Sequence, residues 1–159
     1  MSFSSTMTEL ADACRKRFVV TSKLTLDDMI KLITPPAFPS GTEILGETKL
    51  SIDDEQRGVP LTLKAVPPAM SKPIKLLITV SNNDWLYLSG AKLIFNKSDG
   101  TQLVLVIHTI DTDFENGKHW VKTVNVTIPA NTSIATNKAI LRLHADSEIE
   151  KIEKIIATY

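Results

Sequence analysis

The apolar residues of this chain change their period near residue 43, and that switch constrains the fold more than any other feature. Before it they recur at helical spacing; after it they alternate with polar residues, the period of a strand with one buried face. Ile74, Leu76, Ile78 and Val80 would share one face of a strand. So would Val59, Leu61, Leu63 and Ala65, then Ala91, Leu93 and Phe95, then Val124, Val126 and Ile128. Segments 44–52, 139–144 and 152–158 read as further strands, and Trp85-Leu86-Tyr87-Leu88 begins another. Residues 102–110 are the most hydrophobic run, and a strand there is expected to be covered on both faces. Asp99-Gly100 between apolar runs is a hairpin signal. Residues 67–73 make a rigid connector, and one helical turn is expected near 146–151. About eight short strands divided by turn signals predict a mainly β chain, an antiparallel β-sandwich of immunoglobulin-like type. Nothing repeats at a fixed period, which argues against a solenoid or propeller.

The first 34 residues have a different character. Thr6 followed by Glu9 is a capping-box pattern. Met7, Leu10, Ala11, Cys14 and Phe18 then form an apolar stripe, and Arg15, Lys16 and Arg17 suit a helix C-terminus. A second helix start stands at Thr25, with Leu26, Met29, Ile30 and Ile33 at i, i+3, i+4, i+7 spacing until Thr34-Pro35-Pro36 stops it. The expected organisation is a helical module over 1–34, a proline-rich linker over 35–41 and a β-sandwich over 42–159. Helices this short need a partner surface. Leu10, Cys14, Leu26, Met29, Ile30 and Ile33 are the candidate docking residues, on another chain or on the chain's own sandwich.

Residues 10–33 resemble a short helical element of tail-associated and other virion proteins of tailed bacteriophages and prophages. The resemblance is carried by Leu10-Ala11-Asp12-Ala13, Arg15, Lys23-Leu24-Thr25-Leu26-Asp27-Asp28-Met29-Ile30 and Ile33. It departs at Cys14, where that family prefers an aliphatic residue, and at Phe18-Val19-Val20, where a threonine-glycine turn is common. It implies a modular virion protein, made in the host cytoplasm, whose helices attach to other virion proteins. The domain behind them would do the exposed work, as a tail or baseplate appendage for host attachment or as a capsid decoration protein. Homo-oligomers are plausible only through this resemblance.

Lys+Arg and Asp+Glu are both 18, so no global basic field marks a nucleic-acid binder. No apolar run approaches the roughly 20 residues of a bilayer span, and the N-terminus does not read as a secretory signal. Cys14 is the only cysteine, which excludes an internal disulfide. No serine lies in a nucleophile elbow, Cys14 has no evident base, and His108, His119 and His144 fall on separate segments, so no enzyme is expected. His108, inside the most apolar run, reads as a structural histidine. The alternatives that stay open are a regulatory binding module and a carbohydrate-active enzyme.

Two clusters could bind something. Trp120 and His119, with Trp85 and Tyr87, could stack on and hydrogen-bond a host-surface sugar; buried, the same aromatics would be core. Asp111, Asp113 and Glu115 alternate in a polar loop and could converge oxygens on Ca2+, or simply be solvated. No other cofactor is expected. Asn96-Lys97-Ser98, Asn125-Val126-Thr127 and Asn131-Thr132-Ser133 fit the glycosylation pattern and read as chance.

Overall fold

The computed structural model describes residues 3–18, 25, 26, 29, 38–50 and 58–159, with the side chains of residues 3–5, 14 and 18 left aside. The chain divides into two units, Met1–Phe38 and Pro39–Tyr159.

In the first unit, α1 runs over Phe3–Phe18. It starts a turn before the expected cap, because nothing in Phe3-Ser4-Ser5 opposes helix, and Thr6 and Glu9 are therefore helix interior. Asp12 and Arg15 pair at 2.7 Å, one turn apart, and Arg15, Lys16 and Arg17 occupy the last turn. Leu26 and Met29 are helical as well, and the Met29 N–H donates to the Thr25 carbonyl at 3.0 Å. Ala11 and Met29 are buried together, with Met7 packed against them. No helix among the described residues is long and apolar enough to cross a membrane.

The second unit is built of antiparallel sheets. One sheet has the order β1–β11–β4–β9: β1 is Thr42–Leu45, β11 Lys151–Thr158, β4 Ile74–Asn83 and β9 His119–Ile128. The short β2, Thr48–Lys49, continues β1 along β11 after a break at Gly46-Glu47. The other sheet has the order β3–β10–β6–β7: β3 is Val59–Thr62, β10 Ile134–Arg142, β6 Lys92–Lys97 and β7 Gln102–Val106. A two-stranded ribbon, β5 (Tyr87–Leu88) with β8 (Ile110–Asp111), lies in the connections.

Alternation decides the core. Ile74, Leu76, Ile78 and Val80 from one sheet, and Leu61, Leu93, Phe95 and Leu141 from the other, are each 2% exposed or less. No helix occurs among the described residues of this unit, so the two sheets can bury these rows only against each other, as a sandwich. With β1 and β2 taken as one interrupted strand, the eight main strands run 1-8-3-6 in one sheet and 2-7-4-5 in the other. That is the order of a jelly roll, two Greek keys folded together. The immunoglobulin-like connectivity expected from the sequence would instead pair the first strand with the second. Here the first strand pairs with the last, Thr42 opposite Ala157 and Leu45 opposite Ile155. Gly41, at φ +91°, donates its N–H to the Ala157 carbonyl at 2.8 Å, so the end of the expected linker already belongs to the sandwich; residues 35–37 lie outside the described residues.

Three further expectations are corrected. The most hydrophobic strand is an edge strand: Leu105 is buried, but Val104 and Val106 are 46% and 60% exposed. A short apolar run does not distinguish a covered strand from an edge strand. His108 follows β7 and is exposed rather than structural. The helical turn near 146–151 is instead a tight turn, Ser147 N–H to the His144 carbonyl at 3.0 Å, followed by a bridge from Glu148 to Tyr87.

Candidate functional site

Two connections meet at one end of the sandwich, β4 to β5 and β8 to β9. Their junction is Asp84. β4 ends at Asn83, and Asp84 turns the chain at φ +63°, a left-handed conformation that short polar side chains tolerate. Its carboxylate accepts from the Gly117 N–H at 2.6 Å, and its own N–H donates to the Lys118 carbonyl at 2.7 Å. The Asp84 carbonyl accepts from the Glu115 N–H at 2.8 Å and from Trp120 Nε1 at 3.2 Å. One residue thus ties the two connections together and holds one indole. Asp84 is not among the candidate residues of the sequence; the run Ser81-Asn82-Asn83-Asp84 between apolar segments is the signal that could have found it.

Trp85 lies outside any strand, just before β5. Asn82 Nδ2 donates to its carbonyl at 2.7 Å. Its indole Nε1–H donates to Asp111 Oδ1 at 3.2 Å, and its ring stacks on Tyr87 with centroids 5.3 Å apart and planes 26° apart. Both rings are half-buried, so one edge of the pair meets solvent while the other packs. Thr112 locks the ribbon beneath them, its Oγ1 accepting from the Leu86 N–H at 2.9 Å. His119 is exposed, with Nδ1 3.0 Å from Asn83 Oδ1, and Asn83 Nδ2 donates to Glu150 Oε2 at 3.1 Å. Trp120 is half-buried under cations: Lys118 Nζ stands 3.7 Å and Lys122 Nζ 5.5 Å from its ring centre. One face of Trp120 is therefore occupied, whereas among the described residues no cation stands over the Trp85–Tyr87 pair.

Asp111 serves Trp85 and Glu115 pairs with Lys118. Among the described residues no three His, Cys, Asp or Glu side chains stand together where a metal ion could be held, so Asp111, Asp113 and Glu115 do not converge. Of the docking candidates, Met29 is buried while Leu10 and Leu26 are 37% and 50% exposed; the Cys14 side chain, Ile30 and Ile33 lie outside the described residues.

Tertiary structure also joins groups that sequence reading set aside. Lys97, Ser98 and Asp99 from the β6–β7 hairpin meet Asn131, Thr132 and Ser133 around an open cleft of about 460 Å3. The Ser98 and Ser133 hydroxyls lie 2.8 Å apart. Asp99 is held down to about 2, first by the hydrogen bond from the Thr101 hydroxyl and then by the Thr101 N–H and Lys97. On the outer face of the first sheet, fully buried Ser81 donates to Glu153 at 2.6 Å. That bond, with Lys151, holds the Glu153 carboxyl below its ordinary value against the opposing effect of burial. His144 Nδ1 lies 2.5 Å from Asp146, and the buried Ser147 hydroxyl beside them has no hydrogen-bond partner among the described residues.

No protein-family model matches the chain, and neither a curated protein nor a solved structure matches it.

Proposed function

We propose that the chain is a non-enzymatic structural component of a bacteriophage virion, a tail or baseplate appendage whose sandwich adheres to host-surface carbohydrate. The observation that carries the adhesive half is the stacked, half-exposed Trp85–Tyr87 pair beside the exposed carboxylate of Asp111. An aromatic face takes the apolar face of a sugar ring, and a neighbouring carboxylate accepts from its hydroxyls. His119 and Asn83 add further polar groups at the same end. The virion half is supported by the resemblance of residues 10–33 to a virion helical element. It is also supported by the division of the chain at Phe38. The jelly roll is used by viral capsid and lectin domains alike, a fold-level analogy that favours both halves without selecting a ligand.

The test is binding of the full chain to host cells and to a glycan array, with Trp85→Ala and Tyr87→Ala alongside. Each substitution is expected to weaken retention about tenfold or more, the loss typical of a contact aromatic. Trp85→Phe separates stacking from the indole hydrogen bond, and circular dichroism checks the fold. Absence of wild-type retention on both surfaces, or full retention by Trp85→Ala, would sink the adhesive reading. A capsid decoration protein is the second reading, favoured by the jelly-roll order; hundreds of copies per particle, rather than a few to tens, would select it.

A further inference from the structure

The outer face of the β3–β10–β6–β7 sheet is chemically one-sided. Its register lines up Pro60, Ile140, Ile94 and Val104 in one row across all four strands. The next row is Arg142, Lys92 and Val106. Ile140, Val104 and Val106 are 36%, 46% and 60% exposed, while Ile94 between them is buried; these exposed apolar side chains are bordered by the exposed cations Lys92, Lys138 and Arg142. These four strands contain no Asp or Glu at all. Among the described residues neither Lys92 nor Arg142 has an ion-pair partner.

The opposite pattern stands on the β8–β9 connection of the same chain. Phe114 is 71% exposed, the most exposed large hydrophobic side chain among the described residues. It is flanked by the exposed carboxylates of Asp111, Asp113 and Glu115. A large apolar side chain held in water beside an excess of negative charge, three carboxylates against Lys118, is a feature that a partner surface would bury.

We infer that the Phe114 projection of one copy docks on the exposed Ile140, Val104 and Val106 side chains of a second copy. Its Asp113 and Glu115 carboxylates then face the Lys92 and Arg142 cations, while Asp111 stays with Trp85. The commitment to a second copy rests on charge complementarity. Face-to-face pairing of two such sheets would oppose cation to cation, whereas projection against face joins opposite charges and covers both exposed apolar sets. The zero net charge of the chain allows copies to approach. The contact is head to tail, so every copy carries both halves, and repetition builds a ring if the rotation closes or an array if it does not. The contact uses neither Trp85 nor Tyr87 and stands independently of the carbohydrate reading.

The test uses two full-length variants altered only at exposed positions. Phe114→Ser/Asp113→Lys removes the projection and leaves Asp111 to hold Trp85. Lys92→Glu/Arg142→Glu reverses the face and leaves the projection. By sedimentation velocity the wild type is expected to form larger species as concentration rises, less so at high salt. Each variant alone should associate at least about thirtyfold more weakly, the effect of losing an anchoring aromatic or its seat. An equimolar mixture of the two should form a one-to-one dimer, because one supplies the intact face and the other the intact projection. A wild type that stays monomeric up to millimolar concentration overturns the inference. So does variant association equal to that of the wild type, as attachment through the helical unit would give, or a mixture without the heterodimer. Unchanged melting of both variants shows that the folds are intact.

Discussion

Two glycines separate backbone strain from simple crowding. A Cβ placed on either would meet a heavy atom at 2.6 Å, Lys64 Nζ in the case of Gly46 and Ile140 Cγ2 in the case of Gly58. The consequences should nevertheless differ. At Gly46 the obstacle is the far end of a flexible, exposed lysine, whose pairing with Glu43 is solvated and contributes little. Alanine there also reduces the freedom of the unfolded chain, so Gly46→Ala should change stability by no more than roughly 0.5 kcal/mol. Gly58 has φ +83°, where an L side chain costs about 1–2 kcal/mol. Its obstacle is a branched side chain with a stiff χ1, and relieving that overlap costs about 1–3 kcal/mol more. Ile140 is 36% exposed and can yield partly, which favours the lower half of that range. After the entropic gain of about 0.4–1 kcal/mol, Gly58→Ala should destabilise by about 1–3.5 kcal/mol. Urea unfolding of the full chain, followed by circular dichroism with a common m-value, measures both. In an Ile140→Ala background the overlap disappears, and the φ cost less the same entropic gain, about 0–1.5 kcal/mol, should remain. Equal losses for the two glycine variants, or a Gly58→Ala loss below about 0.5 kcal/mol, would refute this reasoning.

Two further outcomes are expected. Asp99 should titrate at about 2 by NMR, and Thr101→Val should move it up toward the ordinary 3.8; because its folded value is depressed, its contribution to stability is complete above about 3.8 and is lost as pH falls through about 2. Ser147→Ala should leave stability unchanged or raise it by up to about 1 kcal/mol in thermal melts, since it removes a buried hydroxyl that has no partner among the described residues, and a loss above about 1 kcal/mol would count against that geometry.

The sequence alone determined the class of this fold and several of its parts. Alternation at Ile74, Leu76, Ile78 and Val80 marked β4 and its buried face, because a strand repeats every two residues wherever it sits. Asp99-Gly100 marked the β6–β7 hairpin because Gly100 takes φ +83° without strain, while the Asp99 carboxylate accepts from the Thr101 N–H at 2.9 Å. The aromatics at the loop end were also legible as a group, although Asp84, which ties their two connections together, was not. Only tertiary structure decided which strands neighbour which. Pairing Thr42 with Ala157, putting Val104 and Val106 on an exposed edge, and bringing Asp111 to Trp85 all depend on residues far apart in the chain. The same holds for Ser98 against Ser133, two chance-like motifs that meet across a cleft. Local spacing reports which face of an element is apolar. It carries no information on which distant element covers that face, since that choice is made by the total burial and backbone pairing of the whole chain.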